Sequence, residues 1–119
     1  MKILLLVILL SLHVTANQNS YDKGKNLYFD KACSNCHGTE AEGSSYYPKL
    51  ANKKQNILIK KLKEFQQGKA RSQKAEIMFS FARSLNEQEL KDITYFLANY
   101  QQETNANYEV SDDILGSVD

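Results

Sequence analysis

Cys33-Ser34-Asn35-Cys36-His37 is the stretch on which the reading of this 119-residue chain turns. Two thiols three positions apart, on a helix end or a tight loop, present both sulfurs to one side of the backbone. The next residue adds an imidazole, carried round by the same turn. Gly38 follows, and a residue without a Cβ lets the chain turn sharply or pass close to a flat group. This C-x-x-C-H spacing is the one on which a c-type haem is attached. The two thiols reach the vinyl groups on one edge of the ring and form thioethers. His37 is then placed to bind iron through a neutral ring nitrogen as the proximal ligand.

Other uses of two cysteines fit less well. A thioredoxin-like motif needs a strand before it and a helix after it, and no strand pattern flanks Cys33. A structural zinc site needs four ligands, whereas beyond residue 16 only Cys33, Cys36 and His37 are Cys or His. A short-loop disulfide would leave the adjacent His37 without a role.

Haem iron has a second axial position, and subtraction gives its candidate. Of the two methionines and two histidines, Met1 and His13 lie in the leader described below, which leaves Met78 and His37. A lone methionine on an apolar stretch ordinarily fills a core gap. Beside C-x-x-C-H, with no other soft donor in the chain, Met78 becomes the expected sixth ligand. It lies 41 residues after His37, enough chain to reach the opposite face of a ring.

From Tyr21 to about Gln101 the chain resembles the small single-haem class I cytochromes c of bacterial periplasms. The similarity rests on separate blocks: Gly24-Lys25-Asn26-Leu27-Tyr28, the Cys33–Gly38 motif, Tyr47-Pro48-Lys49-Leu50-Ala51, Phe65-Gln66-Gln67-Gly68-Lys69, Met78, Leu85-Asn86-Glu87-Gln88-Glu89-Leu90 and Tyr95-Phe96-Leu97. The resemblance implies an all-α class I fold, three to five helices wrapped around one covalently attached haem, and a role in shuttling electrons. It implies that the Pro48 carbonyl accepts a hydrogen bond from the proximal histidine, and that Gly24 packs against an aromatic of the last helix, Phe96. Asn52-Lys53 departs from the pattern, because a glycine often follows the middle Leu-Ala.

The N-terminus reads as a secretory signal over residues 1–16. Met1-Lys2 is a minimal basic start, Ile3 to Leu12 an apolar run of ten residues, and Val14-Thr15-Ala16 a small-residue exit. The run is about half of the ~20 residues that span a bilayer, so no stable membrane insertion is expected after cleavage. Export to the periplasm also fits haem attachment, which in the bacteria of the resembled family takes place outside the cytoplasmic membrane. About a hundred residues then remain, one domain, near the lower size at which a core suffices alone.

Hydrophobic periodicity predicts helices throughout this domain, residues 17–101. Ser20 reads as the N-cap of a helix from about Tyr21 to Ala32. From Gln55 to Gln67, Ile57, Leu58, Leu62 and Phe65 form one stripe, and Gly68 ends the helix. Asn86 with Glu89 resembles a capping box before a last helix with Leu90, Ile93, Leu97 and Tyr100 on one face. Thr39 to Lys54, with the only proline, reads as a loop.

Charge is unevenly placed. Residues 17–100 carry a balance of +5 and residues 101–119 a balance of −5. Nine basic residues, Lys49, Lys53, Lys54, Lys60, Lys61, Lys63, Lys69, Arg71 and Lys74, lie between the two expected ligands. Such a field suits a transient acidic redox partner; an ordinary solvated lysine face accounts for the pattern equally well. An exported chain without an arginine cluster is not expected to bind nucleic acid. Residues 102–119 read as a flexible acidic tail. A monomeric electron carrier rather than an enzyme is the expectation, since a filled sixth site blocks oxygen and peroxide. Two rivals share the motif: a haem enzyme or gas sensor with an open sixth site, and an electron-entry subunit of a larger oxidoreductase.

Overall fold

The computed structural model describes residues 18–103. The expected leader and the acidic tail beyond residue 103, with Tyr108, Val110, Ile114 and Leu115, lie outside the described residues. Helix α1 covers 18–30, α2 Ser34–His37, α3 Gln55–Gln66, α4 Met78–Arg83 and α5 Glu87–Ala98, with a 3₁₀ helix at Gln73–Ile77. No strand occurs among the described residues, so the architecture is all-α.

Helix α1 corrects both of its boundary expectations. It is already helical at Gln18, which puts Ser20 inside the helix rather than at its cap. Its end also comes earlier than Ala32. The Ala32 N–H donates to Phe29 O and the Cys33 N–H to Tyr28 O, both at 3.0 Å, while Ala32 takes a φ of 61°. That is a Schellman closure with alanine in the left-handed place usually given to glycine, at a steric cost of roughly 1–2 kcal/mol. The same closure ends α3 with a glycine. Gly68, φ 71°, donates to Phe65 O and Lys69 donates to Glu64 O.

Helix α5 starts as its sequence predicts. Asn86 Oδ1 accepts from the Glu89 N–H and Glu89 Oε2 accepts from the Asn86 N–H, each at 2.9 Å, a reciprocal capping box. Leu90, Ile93, Phe96 and Leu97 are buried, and with Tyr28, Ala41, Ala51, Leu58 and Leu85 they make the core. Phe96 is its aromatic hub, with ring centroids 5.1 Å from Tyr21, 5.7 Å from Tyr28 and 5.8 Å from Tyr100. Gly24 brings α1 against this face.

Helix α3 packs on both α4 and α5. At its C-terminal end Gln66 Nε2 donates to Ala82 O and Leu85 O, both at 3.0 Å, and Arg83 Nε donates back to Gln66 O. These bonds satisfy carbonyls at the end of α4 and fix where that short helix, with Met78 as its first residue, stands. The segment from Gly38 to Lys54 is irregular, as its composition predicts. It is tied to α5 by the Asn52 N–H donating to Leu97 O at 2.7 Å. Asn52 itself takes a φ of 61°. The departure from glycine is thus absorbed by a residue that tolerates the left-handed region.

Candidate functional site

Cys33 directly follows the turn that closes α1 and serves as the N-cap of α2, so the two-helix corner places both thiols within one helical turn. Cys33 and Cys36 are free and partly buried. Burial pushes the Cys33 thiol pKa up. No three His, Cys, Asp or Glu side chains converge as a metal cluster among the described residues. No strand flanks the two cysteines among the described residues.

His37 ends α2 and is 5 % exposed. Its Nδ1 lies 2.8 Å from the Pro48 carbonyl oxygen. A carbonyl only accepts, so Nδ1 carries the hydrogen, and the neutral ring keeps its lone pair on Nε2. Nε2 is the nitrogen suited to a metal, and the carbonyl behind it fixes both tautomer and ring orientation. The backbone of His37 is held as well, since its carbonyl accepts from the Gly43 N–H at 2.7 Å.

Gly38, at φ 90°, continues the chain where a Cβ would run into the Glu42 carboxylate. Its carbonyl accepts the Tyr28 hydroxyl at 2.6 Å, and burial raises the Tyr28 pKa. The sequence reading missed this bond. Its only signal in the sequence is a tyrosine five residues before Cys33. Tyr47 stands edge-on to the His37 ring at 6.3 Å, and the neighbouring Cys36 side chain is the main cause that raises its pKa.

Met78 is half-buried and lies near His37. Ile77 before it is 57 % exposed and Phe81 in the next turn 36 %. Leu27, Leu50, Ile59 and Leu62 are partly buried around the core. A half-covered apolar lining beside free thiols, a metal-ready imidazole and a thioether fits a flat hydrophobic cofactor with a metal at its centre. A groove of about 270 Å³ lies elsewhere, between α1 and the end of α5, lined in part by Tyr21, Lys25, Phe29, Tyr100 and Glu103.

The cytochrome c profile matches residues 21–101. The chain belongs to the cytochrome c family. Among curated proteins it is similar to cytochrome c-554(547) of Halothiobacillus neapolitanus, with 32 % identity over 83 residues, covering 63 % of this chain and 90 % of the relative. No solved structure gives a significant match. As a cytochrome c the chain carries a covalently bound c-type haem, and Cys33 and Cys36 have the spacing that receives it. Haem-based electron transfer with redox partners is the activity of this cytochrome family. No helix among the described residues of the cytochrome is long and apolar enough to cross a membrane.

Proposed function

We propose that the protein is a periplasmic electron carrier whose haem iron is held by His37 on one side and Met78 on the other, with Pro48 orienting the histidine. The observation that carries this reading is the His37–Pro48 contact. It commits Nδ1 to the backbone and leaves Nε2 as the only ring nitrogen able to bind iron. The bound haem supplies a one-electron ferrous/ferric couple.

The chain's own residues do the rest. Cys33 and Cys36 tether the ring, so the cofactor stays at high effective concentration. Met78 at the start of α4 offers a thioether, and a thioether raises the reduction potential relative to a second histidine. Both ligands sit on elements fixed by hydrogen bonds, His37 through Gly43 and Pro48, and α4 through Gln66. A fixed pair of ligands keeps reorganisation small when the electron arrives or leaves. A filled sixth site also excludes external ligands, which argues for carriage over catalysis.

Periplasmic residence rests on the leader expected at residues 1–16, and a monomer is the proposed state. Residues 17–101 would then be the haem domain and 102–119 an acidic tail. Lys49, Lys53, Lys54 and Lys60 are exposed and take no part in the ion pairs Lys61–Glu64 and Lys63–Glu87, which leaves them available to an acidic, transient partner.

Carbon monoxide binding to the reduced holoprotein tests the reading. The wild-type protein is expected to stay low-spin and to bind carbon monoxide weakly, and Met78→Ala to bind it readily. Equal binding by both proteins would reject Met78 as a ligand.

A further inference from the structure

The turn over residues 43–48 is fastened to His37 at both ends. Gly43 donates its N–H to the His37 carbonyl, and Pro48 accepts from the His37 ring. Within the turn, Ser44 Oγ accepts from the N–H groups of Tyr46 and Tyr47 at 3.1 Å each, and the Ser44 N–H donates to Tyr47 O at 2.8 Å. The tip is therefore stiff. There the Tyr46 ring stands edge-on to Tyr47 with centroids 4.9 Å apart, although Tyr46 is 58 % exposed.

A cation lies against this exposed ring. Lys74 Nζ lies 2.9 Å from the centroid of the Tyr46 ring. Lys74 belongs to the 3₁₀ helix Gln73–Ile77, which buries none of its residues and is capped at its C-terminal end by Met78 itself. A surface segment without a buried residue has little else to hold it sideways. Its N-terminal cap, Ser72 Oγ accepting from Ala75 N at 3.3 Å, is local to the segment.

We propose that Tyr46 and Lys74 form a clasp that positions Met78: the cation on the ring ties the segment leading into Met78 to the turn fastened to His37. The two are positioning residues, and the inference rests on the reading of Met78 as the second ligand. The path runs from the His37 ring and carbonyl through the 43–48 turn to the Tyr46 ring, across to Lys74, and along four residues of 3₁₀ and helix backbone to Met78. Opening the clasp frees the Met78 segment to move outward and leaves His37 and the thioethers untouched.

Imidazole titration of the ferric, haem-loaded full-length protein reads this directly, because imidazole binds iron only when the thioether gives way. An exposed cation–π contact predicts that Tyr46→Leu and Lys74→Gln each raise imidazole affinity about two- to fivefold. Tyr46→Phe, which keeps the ring, and Lys74→Arg, which keeps the cation, should behave as wild type. The double variant Tyr46→Leu/Lys74→Gln should go no further than either single change. Unchanged affinity in both single variants, alongside a large rise in Met78→Ala, would overturn the clasp and leave Met78 as ligand. An equal rise in Tyr46→Leu and Tyr46→Phe would also overturn it, since the ring–cation contact survives in the second. An unchanged affinity in Met78→Ala would instead remove the ligand reading and the clasp with it.

Discussion

Gly24 of α1 and Phe96 of α5 meet so closely that a Cβ built on the glycine would stand 2.7 Å from the Phe96 Cβ and 2.6 Å from the Asp92 carbonyl carbon. Neither neighbour can yield cheaply, because Phe96 is 1 % exposed at the centre of the aromatic cluster and the other atom is backbone. Gly24→Ala should therefore push the two helices apart and destabilise the holoprotein by about 1–3 kcal/mol, the usual range for overpacking. A thermal melt followed at the far-ultraviolet helix signal checks this, and an unchanged midpoint would show that the contact is looser than described.

Tyr28 links the same core to the haem motif through its hydroxyl on Gly38 O. Tyr28→Phe leaves that carbonyl short of a partner and should cost about 1 kcal/mol. The pH dependence follows from the raised Tyr28 pKa, caused chiefly by burial. The folded state holds the phenolic proton more tightly than the unfolded chain does. This contribution is thus fully present below the unfolded tyrosine value of about 10 and is lost as pH rises from there through the folded value. Denaturant midpoints should fall above about pH 10 in the wild type and fall less steeply in Tyr28→Phe. Parallel alkaline profiles in the two proteins would contradict the assignment.

The basic body of the domain predicts salt-sensitive encounters with an acidic partner. Raising ionic strength from about 0.01 to 1 M shortens the screening length from about 30 to 3 Å, and a steered reaction should slow by at least about tenfold. Stopped-flow reduction by an acidic redox protein measures this, and Lys53→Gln/Lys54→Gln should flatten the dependence. A rate indifferent to salt would reduce these lysines to an ordinary solvated face.

Much of this was legible in the residues themselves. Asn86 and Glu89 name the start of α5, and Gly68 the end of α3, because capping chemistry is local and needs only a few neighbours. The haem motif is equally local, since two thiols and an imidazole must share one turn. The end of α1 was hidden because Ala32 fills a left-handed position where glycine would have signalled it, and the start because Ser20, a good cap by type, sits within a helix that begins earlier. The 3₁₀ helix and short α4 gave no periodic signal, being too short to repeat. Their placement is decided by tertiary contacts, Gln66 with Ala82 and Leu85, and Lys74 with Tyr46. Likewise the Tyr28–Gly38 bond spans ten residues around a corner that no pattern in the sequence announces.

The most direct test of the account is the mass and visible absorption of the protein matured in a bacterial host able to attach haem. The account predicts a chain heavier by one haem that survives denaturation, with a sharp low-spin spectrum in both oxidation states. A colourless product with the mass of the polypeptide alone, or a Cys33→Ala/Cys36→Ala variant that still retains haem after denaturation, would contradict it.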